Sequence, residues 1–181
     1  MKVICWFSCG LTSAVACKLA VEKYGKENCI LIYIDIATAH PDNDRFIENC
    51  EKWIGVEIHR RRSLVYDDQF EVCEKRKFIN GASGSPCTLW LKKKVREQVE
   101  KEIPFSHQVF GFEFVKKEIN RAIRFSQQYP KTKPVYPLIE KGLNKEQCAY
   151  LILKNDIKMP EMYRLGFQNN NCICCVKGGI L

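Results

Sequence analysis

Short apolar runs alternate with longer stretches of mixed polarity along this chain. The apolar runs predict four β-strands, at residues 3–7, 30–34, 56–58 and 108–111. The stretches between and after them predict helices at 12–24, 45–54 and 88–102, a helix that includes 118–121, and a helix from about 144 to about 154. Gly25 is placed to end the first helix, Asp42 to cap the second, and Asn144 with Gln147 to form a capping box. Beyond Met159 the pattern predicts irregular chain.

The alternation of strands and helices predicts the fold class. Strand–helix–strand units of this kind form right-handed crossovers, so we expect a single α/β domain with a mostly parallel, twisted sheet and helices on both faces. Its nucleotide-binding core is predicted to cover 1–158, with a cysteine-rich tail at 159–181. Such sheets bind ligands at the carboxyl ends of their strands. The turns that follow Phe7, Ile34 and Phe110 are therefore the predicted sites of chemistry.

Composition narrows the class of protein. The chain has 181 residues, of which 46% are hydrophobic and 28% charged, values that exclude a disordered or fibrous chain. No apolar run approaches the roughly 18 residues of a membrane span, and the N-terminus lacks a signal-peptide pattern, so we expect a cytoplasmic protein with no membrane partner. Eleven cysteines, an odd number, favour reduced thiols or a metal site over a disulfide framework.

The net charge of +8 favours an anionic partner, either a nucleotide or a nucleic acid. Residues 87–134 carry eleven basic and five acidic side chains, so much of this charge comes from the middle of the sequence. Solvated helix faces explain individual lysines equally well.

The first turn joins a predicted strand to a predicted helix through small residues, with the sequence Ser8-Cys9-Gly10-Leu11-Thr12-Ser13. Small side chains let a ligand approach the backbone, and the first N–H groups of a helix attract anions. The turn lacks the Gly-Lys-Ser/Thr ending of a Walker A loop and the three glycines of a dinucleotide-binding motif. Taken alone, it predicts either an anion site or an ordinary capped helix.

The tail carries a C-x-x-C pair, Cys172 and Cys175, with Cys174 between them. A tight turn at this spacing aims two sulfurs at one ion, as in zinc and iron sites. The sequence has no second such pair nearby, so further ligands have to come from elsewhere in the fold.

Six segments resemble, in order, the phosphoadenosine phosphosulfate (PAPS) reductase-like branch of the adenine-nucleotide alpha-hydrolase superfamily, whose members carry a pyrophosphatase (PP) loop. Residues 8–13 resemble the Ser-Gly-Gly-x-Asp-Ser loop, and the other matching segments are 34–42, 86–92, 111–121, 136–139 and 166–177. The chain departs from the family at Cys9, where the loop has glycine, and at Thr12, where it often has aspartate. The Glu-Cys-Gly-Leu-His-like tail of true PAPS reductases is also missing from 175–181.

The resemblance implies a set of site residues. ATP or a related adenine nucleotide, with Mg²⁺, would be bound by Ser8, Gly10, Thr12, Ser13 and Asp35. Catalysis would depend on Lys92, Glu118 and Arg121, of which Lys92 and Arg121 would neutralise charge on the phosphoryl oxygens. Three alternatives stay open: Asp35 caps a turn, Lys92 belongs to a solvated lysine run, and Glu118 with Arg121 forms a surface pair.

The iron–sulfur members of the family imply a [4Fe–4S] cluster on Cys87, Cys172 and Cys175, with Cys148 or Cys174 as the fourth thiolate. A closed zinc site and free thiols are the alternatives.

The function implied is that of a PAPS reductase-like enzyme that acts in sulfur transfer or in ATP-dependent, adenylating modification. Its acceptor would be a nucleic acid or a sulfur carrier, and a homodimer is compatible with the sequence. Reduction of an adenylyl sulfate by an external thiol is one alternative. A non-catalytic protein that binds zinc and nucleic acid on a degenerate loop is the other.

Overall fold

Five parallel strands form the centre of the structure: β1 (Lys2–Phe7), β2 (Cys29–Ile34), β3 (Ile58–Arg61), β4 (Phe105–Val109) and β5 (Pro134–Val135). They lie in the order β3-β2-β1-β4-β5, and the pairings between these strands are all parallel. The structure, a computed structural model, describes residues 1–82 and 84–177. The predicted single-domain α/β fold with a parallel sheet is confirmed.

Helices follow the strands along the chain. They are α1 (Leu11–Tyr24), α2 (Asn43–Ile54), α3 (Gln69–Arg76), α4 (Pro86–Thr88), α5 (Lys94–Glu102), α6 (Lys116–Gln128), α7 (Pro137–Lys141), α8 (Lys145–Lys154) and α9 (Glu161–Arg164). A π-helical turn (Leu89–Lys93) joins α4 to α5, and short 3₁₀ turns occupy Lys26–Asn28 and Pro130–Thr132. In the described ranges, no helix is both long and apolar enough to span a bilayer.

Both faces of the sheet are covered. Successive side chains of β1 point to opposite sides and pack in two different clusters. Cys5 and Phe7 pack in the main core with α1, α2 and α8. Ile4 packs on the other face against Ile32 and Val99 of α5. Each fully buried residue of this size contributes roughly 1.5–3 kcal/mol to folding.

Two predicted strands are displaced in the structure. The third runs over Ile58–Arg61 instead of 56–58, because Gly55 ends α2 in a left-handed turn and the Glu51 carboxylate accepts the Ile58 N–H. As an edge strand, it tolerates exposed arginines. The fourth is Phe105–Val109 instead of 108–111, because Gly111 has left the ladder to pack against α1.

Some of the predicted helix ends and caps are confirmed, and others are wrong. Gly25 ends α1, and the capping box is confirmed, because Asn144 and Gln147 exchange two side chain–backbone hydrogen bonds of 2.9 Å. Asp42 precedes α2, but its carboxylate bonds to Arg45 and to the backbone N–H of Glu161 instead of capping the helix. Helices α3, α7 and α9 were not predicted, and α9 lies in the tail that was expected to be irregular.

Candidate nucleotide and cysteine site

The turn after β1 is organised by the buried hydroxyl of Ser13. This oxygen accepts the backbone N–H groups of Ser8 (3.0 Å) and Gly10 (3.3 Å) and donates to the carbonyl of Gly10 (2.9 Å). Ser13, expected to touch phosphate, therefore shapes the loop from the inside.

Cys9 occupies a left-handed backbone conformation, with φ of 59°. This conformation costs a non-glycine residue roughly 1–2 kcal/mol, which explains why the resembling loop has glycine here. Asn170 holds the turn, because its side-chain amide donates to the Cys9 carbonyl (2.6 Å) and to the Asn43 side chain (2.8 Å). Burial raises the pKa of the Cys9 thiol well above its usual range, so the thiol is neutral.

The other predicted loop residues differ in their access to solvent. Ser8 is exposed and Thr12 is half-buried at the start of α1. Gly10 is buried under Tyr163, since a Cβ at this position would lie 3.2 Å from the tyrosine oxygen. The same oxygen accepts the Leu11 N–H at 3.4 Å.

A cleft opens at the carboxyl ends of β1 and β2. Including the space at its mouth, it contains about 570 Å³, and Ser8, Ile36, Lys92, Asn170 and Cys172 are among its lining residues. This edge of a parallel sheet is where α/β folds bind their ligands.

Lys92 reaches this cleft from the π-helical turn. Leu91 is buried beneath it, whereas Lys92 itself is exposed. Lys94, two positions later, forms an ion pair with Glu97 at 2.9 Å. Wide turns of this kind re-aim side chains within a helix and often occur at functional sites.

Asp35, at the carboxyl end of β2, is 8% exposed and forms an ion pair. Its carboxylate accepts from Arg62 (2.9 Å from Nε), and Arg60 lies 3.9 Å away. The structure therefore places the side chain predicted for Mg²⁺ or ribose against arginine.

Glu118 and Arg121 lie on α6 and form a 3.1 Å ion pair with each other. The Arg121 guanidinium also lies 4.5 Å from the centre of the Phe112 ring. Neither residue lines the cleft among the described residues, so the surface-pair alternative describes their contacts.

A second pocket of about 490 Å³ adjoins the cleft and brings together three of the predicted metal ligands, Cys87, Cys172 and Cys175. A backbone hydrogen bond of 3.1 Å from Cys175 to Cys172 closes the C-x-x-C turn, and the Cys87 thiol lies 2.8 Å from the Ser85 hydroxyl. Burial raises the pKa of Cys172, and the nearby Lys92 ammonium opposes this effect. We call this space the cysteine pocket.

The predicted fourth ligand lies elsewhere. Cys148 is fully buried in the main core, where burial raises its pKa to about 12, and it does not line the cysteine pocket. Cys174 is exposed. Among residues 1–82 and 84–177, no three side chains are already arranged around a single metal ion.

Solved structures that resemble this chain include a crystal structure of PAPS reductase from Candida auris, determined as a phosphate complex. The TM-score is 0.63 at 14% sequence identity, over 95% of this chain and 81% of that one. This chain has the fold of a PAPS reductase. No protein-family model and no curated protein sequence matches it.

Three residues that build the site within the PAPS reductase fold had no role predicted from the sequence: Asn43, Gln69 and Asn170. Gln69 donates to the Ile173 carbonyl at 2.8 Å, and the Ile173 N–H donates to the Thr38 carbonyl at 2.8 Å, so the tail is tied to α3 and to the loop that follows β2. Asn170 lies inside a segment that carried the resemblance, which was a usable signal. Asn43 directly follows another such segment, 34–42, whereas Gln69 is a buried polar residue with no motif around it.

Proposed function

We propose that this chain is an enzyme that binds an adenine nucleotide in the cleft and uses it in sulfur transfer or adenylating modification. One observation carries the proposal: the cleft and the cysteine pocket share Ile36, Lys92, Asn171 and Cys172. A nucleotide in the cleft would thus lie beside the thiols.

The phosphates would lie beside Ser8, which lines the cleft three positions before the start of α1. Oriented N–H groups and the positive end of the helix dipole favour phosphate there. Lys92 also lines the cleft and adds the positive charge.

In the adenylating reaction, an acceptor oxygen attacks the α-phosphorus of ATP. The new P–O bond forms as the bond between the α-phosphorus and the bridging oxygen breaks, and pyrophosphate leaves with the electron pair. The acceptor hydroxyl releases its proton to solvent. The role of Lys92 is to stabilise the negative charge on the phosphoryl oxygens, which is the main contribution of proteins to such reactions.

The donor set of the cysteine pocket fits a [4Fe–4S] cluster. Soft thiolates select iron–sulfur clusters or zinc, and Cys87, Cys172 and Cys175 face one space. The four thiolates of a cluster bind four different irons and stand farther apart than those around one zinc ion. When bound, the cluster would supply electrons or negative charge beside the nucleotide.

The test compares Lys92→Ala with Lys94→Ala, a matched change within the same lysine run. Loss of a charged hydrogen bond costs about 1.5–3 kcal/mol, so Lys92→Ala should weaken ATP binding about 10- to 100-fold in calorimetric titration. Lys94→Ala should stay within about twofold of wild type, since Lys94 pairs with Glu97. Equal affinities in both variants would overturn the proposed site.

The alternative reaction is reduction of an adenylyl sulfate, favoured by the similarity to a PAPS reductase structure. One thiolate of an external dithiol would attack the sulfate sulfur, and the bond from this sulfur to the phosphate oxygen would break, so that the nucleotide leaves with the electron pair. The second thiolate would then form a disulfide with the first and release sulfite. Release of pyrophosphate from ATP supports the first reaction, and release of sulfite from PAPS supports the second. A chain that produces neither and purifies with zinc would be a non-catalytic binding protein.

A further inference from the structure

Helix α3 presents one continuous stripe to the wall of the cysteine pocket. Gln69, Val72, Cys73 and Arg76 recur at the spacing of a single helix face. Gln69 lines the pocket, Val72 is fully buried, and Arg76 lies 4.1 Å from the centre of the Trp90 ring. Cys73, in the middle of this stripe, lies on the same face of α3 as Gln69, just outside the residues that line the pocket.

The stripe contacts both segments that supply thiols to the pocket. Gln69 bonds to the carbonyl of Ile173, the residue after Cys172. Val72 belongs to a small apolar cluster against which Cys87 and Cys172 pack. Helix α3 also packs directly against α4, the short helix that carries Cys87.

We propose that Cys73 is the fourth thiol ligand of the cluster, together with Cys87, Cys172 and Cys175. The inference rests on the proposed function, which places a cluster in this pocket. Cys148 belongs to the main core, and Cys174 points to solvent from between two pocket cysteines. Cys73 is half-buried on the face of α3 that carries Gln69 and Val72, and α3 packs against the helix that carries Cys87.

The surrounding charge suits four thiolates. A [4Fe–4S] cluster with four cysteine ligands is an anion, and Lys92 and Lys177 line the pocket that would hold it. Lys177 also bonds to Thr88 at 3.0 Å, which keeps its ammonium group beside Cys87. These cations would offset the negative charge.

The experiment measures iron and sulfide per chain after anaerobic reconstitution, in wild type, Cys73→Ala, Cys148→Ala and Cys174→Ala. We expect about four irons in wild type and in the last two variants. In Cys73→Ala we expect the iron content to fall by a quarter or more, with the electron paramagnetic resonance signal of a three-iron cluster. Full iron and an unchanged spectrum in Cys73→Ala would overturn the assignment.

A second measurement avoids substitution altogether. Alkylation followed by mass spectrometry should find Cys73 protected in the loaded wild-type chain and modified after chelation, whereas Cys174 is modified in both. Modification of Cys73 in the loaded chain contradicts the proposal. If the wild type binds zinc instead of iron, the proposed cluster is wrong, but the set of four thiol ligands is not. Loss of that zinc in Cys73→Ala would support the set of four thiol ligands. A wild type that binds neither metal overturns both.

Discussion

Gly111 packs closely against the turn that joins β1 to α1. It follows β4, and a Cβ built on it would lie 2.7 Å from the Cα of Ser13, 2.8 Å from its backbone N and 3.0 Å from the carbonyl carbon of Thr12. All three atoms belong to the backbone of the first turn of α1. We predict that Gly111→Ala destabilises the fold and weakens nucleotide binding together.

The magnitude follows from those distances. Ordinary carbon contacts begin near 3.5 Å, so the first turn of α1 has to move by roughly 0.8 Å. Overpacking of this kind destabilises the folded state by about 1–3 kcal/mol. The lower conformational entropy of the unfolded alanine variant offsets about 0.4–1 kcal/mol of that loss. Phosphate hydrogen bonds lengthened by the same shift are largely lost, which we expect to weaken ATP binding at least about tenfold.

Urea unfolding and calorimetric titration with ATP check this prediction, with Gly142→Ala as the control. Gly142 has φ of 67°, and a Cβ added there would meet no atom of the described residues within 4 Å. Alanine at this position is therefore strained only by its backbone, by about 1 kcal/mol. Gly142→Ala should lose stability but keep wild-type affinity. If Gly111→Ala binds ATP as wild type does, the close contact does not control the loop.

Two further predictions concern the connections around the site. The Arg45 guanidinium and the Glu161 N–H hold the pKa of Asp42 below its usual range. The ionised Asp42 carboxylate therefore stabilises the folded state above pH about 4, and this contribution is lost as the pH falls through the lowered pKa. Asp42→Asn should lower the free energy of unfolding in urea at pH 7 by about 1.5–3 kcal/mol, and its difference from wild type should shrink in acid. A difference that does not change with pH would refute the explanation. The free energy of unfolding of Cys9→Gly should stay within about 1 kcal/mol of wild type, because glycine relieves the left-handed backbone strain and so offsets the lost packing. In Cys9→Val the free energy of unfolding should fall by more than about 2 kcal/mol. Equal stability of these two variants would show that the backbone of this turn is not strained.

The sequence by itself determined the elements whose signals are local. β1, the small-residue turn and α1 were predicted within one residue at each end, because a buried apolar run, small residues and Gly25 each act on their own neighbours. The capping box of α8 was predicted for the same reason, since Asn144 and Gln147 bond to each other across a single turn. The spacing of Cys172 and Cys175 likewise sets their tight turn.

Only the tertiary structure decided which of the candidate residues meet. Asp35 and Arg62 are 27 positions apart and pair because β2 and β3 end side by side. The sequence offered Cys87 as the stronger candidate ligand and Cys148 as a weaker fourth. In the structure, α8 places Cys148 in the main core, whereas α4 carries Cys87 to the cysteine pocket. Helix α3 carries a weak local pattern and gains its buried stripe only by packing against Leu91 and Ile36. Contacts of this kind depend on the summed packing of distant segments, which no local pattern of residues records.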